Sequence, residues 1–343
     1  AAVAFALGAS DVAVIHGPPG TGKTTTVVEL IRQAVGEGQR VLACAPSNTA
    51  TDHLLEKLVE AGLKVVRLGH PARVTERLRD QALDLMVEGH ENTKIAQQMF
   101  READELFRQA GRTTRAKPRR GARAETRREA KELKRHARQL EKQAAEHILD
   151  SVEVVCATTT VDNDLLGDRQ FDLAVIDEAC QSTEPGTWVP LLHAYRVVLA
   201  GDHCQLPPTV VSRQAADEGF AISAQEKLVE RYGDTITHLL TDQYRMHQQI
   251  MGFSSQQFYD GQLVADVSVR DHVLADLDGV ASNELTQQPI TFIDTVGAGW
   301  EEELEPDGES RRNVEEGRLV LRKVAALREA GLASEAIAVI APY

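Results

Sequence analysis

Cysteine is scarce in this sequence, and long apolar runs and a basic leader are missing altogether. The four cysteines, Cys44, Cys156, Cys180 and Cys204, show no C-x-x-C spacing and sit beside apolar runs. That excludes a disulfide framework and reads as buried free thiols in a reducing compartment rather than zinc ligands. No uninterrupted apolar run approaches the roughly 18 residues a membrane span needs, so no membrane partner is expected. Residues Ala1 to Ala9 read as a helix entering a strand, without the basic n-region or cleavage-like site of a signal peptide. An intracellular, cytoplasmic protein is the expectation.

Net positive charge is also missing: the 343 residues carry −14. The balance is uneven, however. Arg108 to Lys142 holds 14 Lys and Arg against 4 acids, while the remainder holds 24 against 48. An acidic average therefore conceals a basic segment suited to a phosphate backbone, with salt-sensitive binding. Few aromatics interleave with it, which argues against base stacking there. The bland alternative is a solvated helical face. With 42% hydrophobic and 26% charged residues, the chain reads as globular, with about two domains and an insertion.

The order of patterns predicts an α/β fold. "VAVI" and "RVLACAP" flank a helical stretch from Thr24 to Val35, a βαβ unit of a parallel sheet, and "KVVRLG" follows a further helix from Asp52 to Ala61. Residues 73–150 lack strand signals. Apolar residues recur there at helical spacing, through Ile95, Met99, Ala103 and Leu106, then Ala130, Leu133, Ala137, Leu140, Ala144 and Ile148. This predicts an inserted helical hairpin whose turn is the basic "GRTTRAKPRRGAR". Strand signals resume in "VEVVCATTT", "FDLAVIDEA" and "RVVLAGD", so residues 1–72 and 151–237 are read as one sheet domain. A second, over 238–343, opens with "HLLTDQYRMH" and continues through "ITFIDT" and "IAVIAPY". It is expected to be incomplete at Tyr343.

Chemistry enters at the strand ends, where ligands of open α/β sheets bind. Residues 16–30, "HGPPGTGKTTTVVEL", contain G-x-x-x-x-G-K-T at Gly17, Gly20, Gly22, Lys23 and Thr24, with Pro18, Pro19, Thr21 and Thr25 completing the loop. Glycines let backbone N–H groups cradle phosphates, Lys23 reaches the β and γ phosphates, and Thr24 ligates magnesium. "VIDEACQ" sets Asp177 to hold magnesium while Glu178 activates water. Gln205, in "LAGDHCQLPPT", can donate to a γ-phosphate and accept from the attacking water. In "QYRMH", Tyr244 can stack on adenine and Arg245 can pair with phosphate charge, although those five residues taken by themselves favour a core tyrosine beside a surface arginine. Ser47, Asn48, Thr158 and Thr159 lie where small polar groups can grip a strand's phosphates, with plain helix capping as the competing reading.

"GPPGTGKT", "APSNTATD", "RLGHPAR", "CATTT", "DEACQ", "GDHCQLPPT", "QYRMH", "FSSQQFYDGQL" and "IAVIAPY" occur in one order. That order resembles superfamily-one helicases of the nonsense-mediated-decay and immunoglobulin mu-binding type. The resemblance implies two RecA-like domains and an ATP- and Mg2+-dependent motor moving 5′ to 3′ on single-stranded DNA or RNA. It implies roles for Lys23, Thr24, Asp177, Glu178 and Gln205 as above, adenine packing by Tyr244 and phosphate contact by Arg245. It also places Ser47, Asn48, Thr158, Thr159 and Pro208 on or near the strand path. The family's "GFQG"-like and "ALTRAR"-like motifs would fall beyond Tyr343, so residues 1–343 alone are expected to hydrolyse ATP poorly. A binding module switched by ATP is the alternative from another class. DNA against RNA and the oligomeric state stay open.

Overall fold

The computed structural model describes residues 1–111, 122–304, 308 and 310–341. The hairpin turn expected at "GRTTRAKPRRGAR" falls mainly on residues 112–121 and lies outside the described residues. Two compact units emerge, one of Ala1–Pro18 with Gly22–Leu240 and one of Pro19–Thr21 with Thr241–Tyr343.

The first unit is built on strands β1 (Val12–His16), β2 (Val41–Ala45), β3 (Val65–Arg67), β4 (Val154–Thr158), β5 (Leu173–Ile176), β6 (Val197–Gly201) and β7 (Thr237–Leu239). They form one parallel sheet in the order β3-β4-β2-β5-β6-β1-β7. The expected α/β fold is therefore present. β2 and β6 are buried along their whole length, which is why they read as unbroken apolar runs rather than alternating ones. Successive side chains still divide between the faces. Ile15, Val41 and Ala43 meet Val27, Leu30 and Ile31 of α2 (Lys23–Gly36) and Leu54 and Leu58 of α3 (Asn48–Glu60), with Ala6 of α1 (Ala2–Gly8). Val14, Leu42 and Cys44 face the other way, toward Ile148, Leu149 and Phe171.

β7 departs from the sequence reading. His238 and Leu239, expected to open the second sheet domain, lie in register with Ile15 and His16 of β1. The open edge of β1 satisfies their backbone groups, and the Leu240 N–H donates to the His16 carbonyl at 2.8 Å.

The insertion is helical, as the spacing predicts: α4 (Leu83–Gly89), α5 (Glu91–Gly111) and α6 (Ala122–Ser151). One isolated bridge from Ala82 to Arg67 is the extended pairing among the described residues of this segment. The α5–α6 seam is lined by alanines seven residues apart, Ala96, Ala103 and Ala110 against Ala130, Ala137 and Ala144, all buried. Such small side chains let two helices approach closely along a heptad stripe. Ile95, read as part of the apolar stripe, is 52% exposed, because the stripe runs through its neighbour Ala96. Lys134 reaches Asp104 at 2.8 Å and lies over the Phe107 ring, aligning the helices antiparallel. The last turns of α6 enter the sheet's core at Ile148 and Leu149, and Arg40 Nη2 donates to the Leu149 carbonyl at 3.0 Å.

In the second unit the longer helices are Gln248–Phe258 and Val314–Glu329. Short strand pairs join Asp242–Gln243 to Val264–Ala265 and Glu303–Leu304 to Arg311–Arg312. "ITFIDT" and residues 337–341, read from sequence as strands, form no ladder among the described residues. A strand needs a neighbour to satisfy its backbone, and among the described residues none pairs with them. No described helix is long and apolar enough to cross a membrane.

Candidate nucleotide site and strand edge

β1 runs into the glycine loop, and α2 begins at Lys23. Gly22 caps α2 in the left-handed region with φ 75°, and Gly20 has φ 81°, both conformations that favour glycine. Gly17 is needed for space instead. A Cβ there would sit 2.7, 2.8 and 2.9 Å from Cβ, Cγ and Cδ of Lys23, so the loop is a cradle that one methyl group would fill. The Gly17 N–H donates to the Gly201 carbonyl at 3.0 Å, which ties the loop to the end of β6.

Lys23 folds back into that space. Its Nζ lies 3.0 Å from Asp177 Oδ1 and 2.5 Å from Glu178 Oε1. Burial pulls the ammonium's pKa down, but the charges and hydrogen bonds of Asp177 and Glu178 more than offset this and leave it raised. Asp177 is buried at the end of β5, and its N–H donates to the Cys44 carbonyl. Glu178 follows with φ 53°, an uncommon conformation for a residue with a side chain. Its N–H donates to Asp177 Oδ1 at 2.9 Å, and Gln181 Nε2 donates to its carboxylate at 3.2 Å.

Two residues that sequence reasoning missed each organise a loop. Buried Asp202 accepts from Gln205 Nε2 at 2.6 Å and from the Cys204 N–H at 3.1 Å, and lies 2.9 Å from His16 Nε2. Buried Gln243 shapes the "QYRMH" turn in the same way. Its Oε1 accepts from the Arg245 and Met246 N–H groups, and its Nε2 donates to the Met246 carbonyl. An aspartate straight after a buried strand was the available signal for the first; Gln243 offered none. Tyr244 and Arg245 are exposed in the second unit, Tyr244 at 57%.

The strand-edge residues divide. Ser47 caps α3, its Oγ accepting from the Ala50 N–H at 3.1 Å. Asn48 Oδ1 accepts from Arg67 Nη2 at 2.9 Å. Arg67 is itself buried, held by Asp52 and by the Leu68 carbonyl. Thr158 lies opposite Ala45 at the carboxyl edge, 3.4 Å from the Thr160 hydroxyl. Pro208 is buried. Thr159 does not fit its expected place on a strand path: its side chain is buried and accepts from Ser182 Oγ at 3.4 Å. Its hydroxyl is closed off from solvent, whereas Ser47 is exposed and Thr158 half-buried. Thr159 joins the Thr158–Thr160 turn to the segment that follows Asp177 and Glu178.

Cys44, Cys156 and Cys180 are buried free thiols, as the spacing predicts, while Cys204 is half-buried. Burial pushes Cys156 up to about 12 and raises Cys44 further, so neither is reactive.

A parallel sheet whose first strand feeds a glycine loop, with the loop lysine bonded to an acid pair beyond β5, defines a P-loop nucleotide-binding protein. The chain belongs to the AAA domain family: models with that description match residues 1–213 and 220–343. It is 44% identical over 347 residues to the DNA-binding protein SMUBP-2 of Rattus norvegicus, covering 100% of this chain and 35% of that protein. It is 37% identical to the DNA polymerase alpha-associated DNA helicase A of Schizosaccharomyces pombe, covering 100% of this chain and 51% of that protein. Identity to a regulator of nonsense transcripts 1 homolog of Arabidopsis thaliana is 34%, covering 97% and 25% respectively. The resemblance read from the motif order is thereby borne out.

Proposed function

We propose that the chain belongs to an ATP-driven helicase that couples hydrolysis to 5′–3′ movement along single-stranded DNA or RNA. The observation that carries the reading is the contact of Lys23 with both Asp177 and Glu178 at the phosphate loop. A half-buried lysine kept protonated suits the β and γ phosphates of ATP, and the space guarded by Gly17 keeps its stem in place. The Thr24 hydroxyl and Asp177 carboxylate are hard oxygen donors, the chemistry that Mg2+ takes. Bound there, Mg2+ would neutralise charge developing on the phosphates.

Glu178 would accept the proton of the attacking water, and Gln205, aimed by Asp202, would align that water with the γ-phosphate. Tyr244 would pack on adenine, and Arg245 would meet phosphate charge. Ser47, Asn48, Thr158 and Pro208 would lie along the nucleic-acid path. Thr159 is assigned a linking role instead. Exposed Arg123, Arg127, Arg128, Lys131, Arg135, Arg138 and Lys142 on α6 add a basic face for the phosphate backbone. Free thiols suit a reducing, cytoplasmic setting.

The test is ATP turnover by the full-length protein with and without single-stranded DNA or RNA, with Lys23→Ala as blank. Stimulation by either polymer supports the motor, and turnover indifferent to both overturns it. Glu178→Gln separates the motor from an ATP-switched binding module. In a motor it abolishes translocation while ATP binding persists.

A further inference from the structure

Cys204 departs from the other cysteines because it is only half-buried and stands beside two histidines. His16 ends β1, while His203 and Cys204 begin the loop after β6. The pairing of His16 with Gly201 brings the two segments together. His16, His203 and Cys204 each offer one ligand atom, and the three atoms lie within 4.8 Å of one another. The two imidazole centroids are 4.4 Å apart. His203 Nδ1 is buried without a hydrogen-bond partner. His16 Nε2 lies 2.9 Å from Asp202 Oδ1, the carboxylate–histidine pairing that orients metal-ligating imidazoles.

We propose that His16, His203 and Cys204 form a binding site for a borderline-soft divalent transition-metal ion, zinc fitting best, with a fourth position open to water. Two imidazoles and a thiolate select such an ion over Mg2+, which prefers hard oxygens, so the site is chemically distinct from the Thr24 and Asp177 pair. With Nε2–H donating to Asp202, His16 would bind through Nδ1. Ligands about 2.0–2.3 Å from a tetrahedral zinc lie roughly 3.3–3.8 Å apart, so residues whose ligand atoms already come within 4.8 Å of one another have only to draw together. Side-chain rotation supplies that. The Cys204 thiol releases its proton to solvent as the Sγ–metal bond forms, and no electron is transferred.

The test titrates Co2+ into reduced, chelator-treated full-length protein without nucleotide. One equivalent should give a thiolate-to-cobalt charge-transfer band in the near ultraviolet, together with d–d bands of tetrahedral intensity, and Zn2+ should displace it. Cys204→Ser should remove the charge-transfer band. His203→Ala and the orienting variant Asp202→Asn should each weaken Co2+ by about tenfold or more. Cys204→His guards against misfolding, since it should retain the metal without the sulfur band. Absence of the band in the parent, or its persistence at full strength in Cys204→Ser, overturns the site.

Discussion

Replacing Gly17 with alanine tests how the phosphate loop works. The added methyl would meet Lys23 Cβ, Cγ and Cδ at 2.7, 2.8 and 2.9 Å, distances that real Cβ atoms essentially never show. The lysine stem must rotate away. Its Nζ then leaves Asp177 and Glu178, now 3.0 and 2.5 Å distant, and with them the position from which, on the function proposed above, it would reach phosphate. A hydrogen bond to a charged group is worth about 1.5–3 kcal/mol, so at 1.4 kcal/mol per tenfold nucleotide affinity should fall about 10- to 140-fold. Calorimetric titration with ATP and Mg2+ measures it.

Gly22→Ala is the matching control. Nothing lies within 4 Å of a Cβ there, but φ is 75°, so the penalty is backbone strain of about 1–2 kcal/mol, read as a lower melting temperature. If Gly17→Ala binds ATP within about threefold of the parent, roughly 0.7 kcal/mol, the steric account of Lys23 is wrong.

Further expectations concern links away from the loop. Thr159→Val removes the acceptor of Ser182 Oγ at a cost of about 1 kcal/mol. It should leave ATP affinity unchanged and reduce stimulation of ATP turnover by single-stranded nucleic acid; undiminished stimulation refutes the link. Asp52→Ala strips buried Arg67 of its carboxylate and should destabilise by about 3–5 kcal/mol in urea unfolding. A loss below about 1 kcal/mol would mean that Arg67 is satisfied elsewhere. The hydrogen bond from Lys227 holds the Glu184 carboxyl below its usual 4.5. Its stabilisation is therefore present above pH 4.5 and lost as pH falls through the lowered value. Lys227→Met should remove that acid-side slope, by at most about 1 kcal/mol for so exposed a pair, as followed by melting temperature against pH.

Legibility in the sequence followed locality. The glycine loop, the Asp177 and Glu178 pair and the long buried strands are short-range patterns, each carrying its physical reason within about ten residues. Partnerships across the chain were not legible. Arg67 in "KVVRLG" reads as a polar interruption, yet it is buried because Asp52 and Asn48 reach it from α3. His16 and Asp202 meet only because β1 and β6 are neighbours, a fact of strand order that no local motif carries. Thr159 looked like its neighbours in "CATTT", but the turn that follows β4 points it inward, toward Ser182. Ile95 misled for a different reason. Periodicity favours the large apolar residue, whereas a tight helix pair selects the alanine beside it.

α6 gives the molecule mechanical leverage. Its 30 residues span about 45 Å, and Val152 and Glu153 are all that separate it from β4, whose far end carries Thr158. Its base is clamped in the core by Ile148 and Leu149, while the alanine seam with α5 stiffens the arm against bending. A tilt of about 5° at that pivot sweeps the distal end through about 4 Å. A load on the basic arm is thus geared down into a small displacement at β4, beside the strand edge where Ser47 and Thr158 stand.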